Sequence, residues 1–180
     1  MQFIEYTSRL ILKTESVDCA PRVLEFYLRN REHLTPYEPQ VSESFYTLNY
    51  QQRILEYEFN DLLKGNSFRY YLYLKSDPER IIGSVNLTQI LHAPFCRAAL
   101  GYKLDYEMQG NGYATEATKK LLELAATKLR LHRIEARVLP HNARSIRVLE
   151  RLHFQYEGME YQSVKINDCW QDLYRYSIIL

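Results

Sequence analysis

Apolar and polar positions change their period several times along this chain, and each change predicts an element. Residues 8–14, SRLILKT, alternate in twos as a strand does. Residues 17–30, VDCAPRVLEFYLRN, take up a helical period behind Ser16, a residue suited to an N-cap, with Pro21 tolerable near the first turn. Pro36 and Pro39 then make REHLTPYEP a loop. A second helix is predicted over 47–64, with Ile54, Leu55, Tyr57, Phe59, Leu62 and Leu63 as its buried face and Gly65 at its end. Segments 67–75, 80–90 and 96–105 are rich in aromatic and branched residues and broken at SDPE and Pro94, which reads as an antiparallel meander.

The period returns to helical after Gly112, with Ala114, Ala117, Leu121, Leu124, Ala125 and Leu129 in step. HRIEARVL (132–139) is a strand, and NARSIRVLERL (142–152) is a short helix capped by Asn142. The tail, FQYEGMEYQSV and CWQDLYRYSII, gives two closing strands joined by a turn at INDC. The sum, β-α-α-β-β-β-α-β-α-β-β, predicts an α/β (α+β) fold: a mixed, mostly antiparallel sheet of about seven strands flanked by about four helices. At 180 residues it is read as one domain, 1–180.

Composition narrows the classes. Hydrophobic residues make up 46% and charged ones 25%, and no apolar run approaches the roughly 20 residues that span a bilayer. The start has no basic flank followed by an apolar core, so a cytoplasmic location without membrane attachment is expected. Cys19, Cys96 and Cys169 lie far apart with no C-x-x-C pair, so reduced, mostly buried thiols are expected rather than disulfides or zinc. The histidines show no ligand spacing either, and no metal is expected. A net charge of +1 argues against a nucleic-acid partner. The charge is uneven, however: from Tyr113 to His153 nine Lys and Arg face four acids, which suits a positive end turned toward a polyphosphate.

The candidate chemistry sits in MQGNGYATEATKKLLELAATKL (108–129), where Gly110 and Gly112 stand directly before a helix. The leading N–H groups of a helix lack internal partners and lie at its positive end, so an anion, most often a phosphate, is the expected guest. A nucleotide P-loop would need Lys then Ser or Thr after the final glycine, and neither is present. A dinucleotide fingerprint starts correctly at GNG, but Thr115 replaces its third small residue and the preceding strands form a meander, not parallel units.

Taken from Gln109, the pattern is Gln109-x-x-Gly112-x-Ala114. This resembles the pyrophosphate loop of the GNAT N-acetyltransferases. The likeness extends over essentially the whole chain, and NREHLTPYEP, LGYKLDYEMQGNGYATEA, LHRIEARVLPHNARSIRVLERLHF and NDCWQDLYRY resemble the Rim-type branch, the ribosomal-protein-alanine N-acetyltransferases. The resemblance implies acetyl-CoA as cosubstrate. It implies that Gln109, Gly110, Asn111, Gly112, Tyr113, Ala114 and Thr115 hold the pyrophosphate, and that Tyr102, Lys103 and Leu104 offer backbone groups to the pantetheine arm. It also implies that Asn142 lies near the pantetheine and Ser145 near the sulfur, where Ser145 is a candidate proton donor; read alone, Asn142 is first of all a helix cap, and the two roles can coexist.

An attacking amine must shed a proton, so a carboxylate is sought: Glu135 is one candidate, Glu38 and Glu43 are others. The implied acceptor is the α-amine, Ala or Ser first, of a ribosomal protein, with the enzyme a monomer or homodimer. A small-molecule amine as acceptor and a CoA-binding module without turnover remain alternatives. Three departures are visible: Asn111 where the family is often basic, His153-Phe154 where Gly-Phe is common, and Val138 where some relatives have cysteine.

Overall fold

The computed structural model describes residues 3–180 and contains one eight-stranded sheet in the order β1-β2-β3-β4-β5-β6-β8-β7. The strands are β1 (Ile4–Tyr6), β2 (Leu10–Lys13), β3 (Phe68–Leu74), β4 (Asp77–Leu91), β5 (Arg97–Leu104), β6 (Arg133–Val138), β7 (Gln155–Ile166) and β8 (Cys169–Ile179). The helices are α1 (Ala20–Arg29), α2 (Arg31–Leu34), α3 (Leu48–Lys64), α4 (Tyr113–Thr127) and α5 (Ala143–Arg151). All neighbouring pairs are antiparallel except β5 with β6.

Two elements go beyond the predicted set. β1 is a three-residue edge strand paired with β2. α2 is a single turn inside the expected 31–39 loop, followed by a short 3-10 turn over Thr35–Tyr37 that holds Pro36. The helix predicted from residue 17 opens instead as a 3-10 turn over Val17–Cys19, and Ser16 makes no side-chain cap there. Pro21 sits in the first turn of α1, where its missing N–H is harmless. The thiols also differ from expectation, since Cys19 is buried but Cys169 is exposed at the β7–β8 turn.

Period-two alternation sorts side chains onto the two faces of the sheet. On β3, Phe68, Tyr70 and Leu72 join a core with α4 and α5, whereas Tyr71 and Tyr73 join a second core with α1 and α3. β5 follows the same rule, with Ala98, Leu100, Tyr102 and Leu104 all on the α4/α5 face. Two local turns show why these residues stand where they do. Asn167 and Asp168 both have left-handed φ, +48° and +61°, as a two-residue hairpin turn between β7 and β8 requires. His153 adopts φ +63°, a conformation that glycine takes at less cost, and the Phe154 N–H bonds back to the Leu149 carbonyl to close α5.

Candidate active site

β5 and β6 run parallel only briefly, pairing Arg97–Leu100 with Arg133–Ala136. Beyond that point Gly101–Leu104 bond to β4 alone, and Arg137 and Val138 to β8 alone. The two facing edges therefore carry backbone groups with no ladder partner, which an extended ligand arm can satisfy as an added strand would. The fork opens into a cavity of about 560 Å³, lined on the sheet by Leu100–Leu104 and Ala136–Leu139. Lining by Val164, Ile166 and Leu173 of the β7–β8 hairpin was not legible in the sequence, because only sheet order brings that hairpin alongside.

The glycine loop forms one end of this cavity. Gly110 and Gly112 have φ +79° and +80°, so both positions need the left-handed conformation as well as bare backbone. A Cβ on Gly110 would meet nothing within 4 Å, which leaves open space over the loop. Gly112 is the N-cap of α4 and has no side chain to cap it, so the amides of Tyr113, Ala114 and Thr115 lack helical partners at the positive end of the dipole. This cradle has the chemistry of an anion site.

The loop is held from behind by contacts the sequence did not suggest. Glu116, in the first turn of α4, accepts from Thr7 Oγ1 (2.6 Å), Ser8 Oγ (2.9 Å), the Arg9 amide (2.9 Å) and Arg9 Nε (2.7 Å). These donors outweigh the cost of burial and hold its carboxyl down at about 2. Arg9 also donates to the Asn111 carbonyl at 2.9 Å and lies 4.5 Å over the Tyr113 ring, so a distant cation supports the loop where Asn111 lacks one. The Asn111 side chain bonds back to the carbonyls of Met108 and Gln109. At the loop's entry, buried Asp105 accepts from Arg29 (2.8 Å), Arg80 (3.0 Å) and the Glu107 amide (3.2 Å), and Asn30 accepts from the Tyr106 amide. The Gln109 side chain spans the mouth, its NH2 against His33 Nε2 and its oxygen accepting from Arg144.

On the α4/α5 face, Asn142 does cap α5: its Oδ1 accepts from the Ser145 amide at 3.1 Å. The Ser145 hydroxyl donates to Tyr102 Oη at 2.9 Å, and Tyr102 donates to the Ser145 carbonyl at 3.0 Å. Tyr102 therefore contributes a hydroxyl as well as backbone, tying β5 to α5 across the fork; burial pushes its phenol up to about 12. Val138, buried, lines the cavity near this pair.

The three acids separate cleanly. Glu38 lines the cavity and bonds Lys103 Nζ at 2.6 Å. Glu43 lies in an adjoining cavity of about 140 Å³, paired with Arg31. Glu135 is not brought to either one. Alternation along β6 sends it to the opposite face from Ile134, Ala136 and Val138, and Arg133 (2.9 Å) and Arg97 (3.3 Å) hold its carboxylate. The main cavity is otherwise cationic, with Lys103, Arg137, Arg144, Arg147 and Arg151 in its lining.

Comparison with known proteins agrees with this geometry. The family described as acetyltransferase (GNAT) domain matches residues 9–155. The [ribosomal protein uS5]-alanine N-acetyltransferase of Escherichia coli (strain K12) is 32% identical over 167 residues, 92% of this chain and 85% of that one. The crystal structure of ribosomal-protein-S5-alanine acetyltransferase from Vibrio fischeri superposes with a TM-score of 0.93 at 29% identity, covering 99% of this chain and 97% of that chain. Mycobacterium smegmatis RimJ, solved in complex with CoA-disulfide, superposes with a TM-score of 0.89 at 24% identity, over 94% of this chain and 81% of that one. With the forked sheet, the bare α4 N-terminus and a family match over most of its length, this chain belongs to the GNAT acetyltransferases.

Proposed function

We propose that this acetyltransferase moves acetyl from acetyl-CoA to the α-amine of a protein N-terminus, with a ribosomal protein beginning in Ala or Ser as the acceptor. The observation that carries the reading is the β5–β6 fork ending on the uncapped α4 N-terminus. In this reading the amides from Gly110 to Thr115 hold the diphosphate, with Gln109 and Arg144 at the rim. The edge of Tyr102–Leu104 pairs with the pantetheine amides, and Asn142 borders the same arm. The acetyl-CoA thioester supplies the activated acyl group. Ser145, oriented by Tyr102, stands to return a proton to the departing sulfur. Glu38 replaces Glu135 as the carboxylate nearest the reaction, because it lines the cavity and Glu135 does not. The acceptor is supported by the names of the relatives, which act on alanine of uS5 and S5.

The test is a thiol-release assay with acetyl-CoA and short peptides beginning in Ala or Ser, run beside a panel of small amines, with products weighed by mass spectrometry. Peptide acetylation at the N-terminus is expected. Turnover confined to small amines removes the peptide acceptor, and CoA binding without thiol release under any acceptor removes the enzymatic reading.

A further inference from the structure

The smaller cavity beside the fork has an apolar wall of five residues, Tyr27, Leu34, Val41, Phe45 and Tyr46, and Asn167 reaches it from the β7–β8 turn. That wall is fixed from behind. Tyr27 and Leu34 belong to the core under α1 and α3, and Phe45 and Tyr46, on the 3-10 turn Glu43–Tyr46, pack against the same core. The Phe45 ring meets Tyr27 edge to face with centres 4.7 Å apart, and Tyr46 at 5.2 Å. Gln51, fully buried on α3, donates to the Phe45 carbonyl at 2.6 Å and so holds the turn to the helix.

Charge around the hollow is cancelled. Arg31 pairs with Glu43 and lies 4.3 Å over the Tyr46 ring, and Glu38 pairs with Lys103 at 2.6 Å. The Thr35 hydroxyl is turned back to the Arg31 carbonyl at 2.7 Å. A charged guest would lose water here and find no free counter-ion, whereas an apolar guest meets rings and branched carbons. The volume, about 140 Å³, is close to the roughly 150 Å³ of a dry apolar cavity that takes up benzene, so a single Leu-, Ile- or Phe-sized side chain fills it.

This hollow adjoins the reaction site, because Leu34, Glu38 and Pro39 line both cavities. Resting on the acceptor reading above, we propose that it is a side-chain subsite for the second residue of the acceptor, and that it selects an apolar residue of Leu, Ile or Phe size there. An acceptor whose amine lies beside Glu38 has its next Cα about 3.8 Å further on, which brings the second residue past Glu38 to the hollow. Successive side chains of an extended chain point to opposite sides, so the first faces away when the second enters. A small free amine has nothing to place there.

The experiment uses the full chain, acetyl-CoA and lysine-free peptides that begin Ala-X, with X as Leu, Phe, Gly, Asp or Arg. The value of kcat/KM with Leu or Phe should exceed that with Gly, Asp or Arg by at least about tenfold. Val41 is 41% exposed, so Val41→Trp fills the hollow without entering the core. In that variant the preference should fall to under about threefold, while acetyl-CoA affinity stays within about twofold as a control on folding. Wild-type kcat/KM equal within about threefold for every X, or highest for Asp or Arg, overturns the proposal. So does an apolar preference that arises only when X stands third, or a Val41→Trp enzyme with the original preference. Protein that acetylates small amines but no peptide overturns the acceptor reading, and the subsite with it.

Discussion

Replacing Glu116 by Gln tests the claim that the anion cradle is held up from behind. The carboxylate accepts four hydrogen bonds, from Thr7, Ser8 and twice from Arg9, and is 15% exposed. Its carboxyl is lowered from an ordinary 4.5 to about 2. A gap of about 2.5 units at about 1.36 kcal/mol per unit sets a ceiling of about 3 kcal/mol. Arg9 is 47% exposed, so water screens part of that, and roughly 2 kcal/mol is the expected contribution. Because the folded value lies below the unfolded one, this stability is complete above about pH 5 and is lost as pH falls from 4.5 through about 2. Urea unfolding of both proteins from about pH 7 to about pH 3 measures it. Glu116→Gln should be about 2 kcal/mol less stable at neutral pH, a fall in Tm of about 4–8 °C for a chain of this size, with the difference shrinking toward acid. A difference equally large at about pH 3 and pH 7, or one under about 0.5 kcal/mol throughout, refutes the reasoning.

His153→Gly should stabilise the fold by about 1 kcal/mol, since the residue holds φ +63° on an exposed turn; thermal melting reads it. Gly112→Ala should cost about 1 kcal/mol through its φ of +80° and lower CoA affinity at least tenfold by tilting the α4 amides, measured by calorimetric titration. Asn142→Ala should cost about 1 kcal/mol as a lost cap. Ser145→Ala keeps that cap and loses only the bond to Tyr102, so a fall in kcat beyond tenfold with a Tm change under about 4 °C separates its chemical role from its structural one.

The span of the second helix, the meander and the Asn142 cap were readable because each depends on residues within a few positions of one another. The glycine loop was readable for the same reason, although its left-handed φ values supply a second cause beside open backbone. The buried face of the second helix was not: Tyr57, Phe59 and Leu63, expected inside, are exposed, whereas Gln51 and Leu55 are buried, because which stripe packs is set by the sheet beneath it. α2 was hidden because one turn has too few residues to show a period. Glu135 and Glu38 could not be told apart by position in the chain. An acid's neighbours across a sheet depend on register, and register set Glu135 against Arg97 while the chain's path set Glu38 against Lys103.

Local pattern thus determined the order of elements, the bare glycine loop before α4 and, through the resemblance it carries, the family, because propensity, capping and backbone freedom act over short spans of sequence. Tertiary structure alone decided where β5 and β6 part and which carboxylate reaches the fork. It also placed Arg9 and Glu116, 107 positions apart, behind one loop. Those outcomes follow from alternation across a folded sheet and from charges meeting over long separations, which no short window of the chain contains.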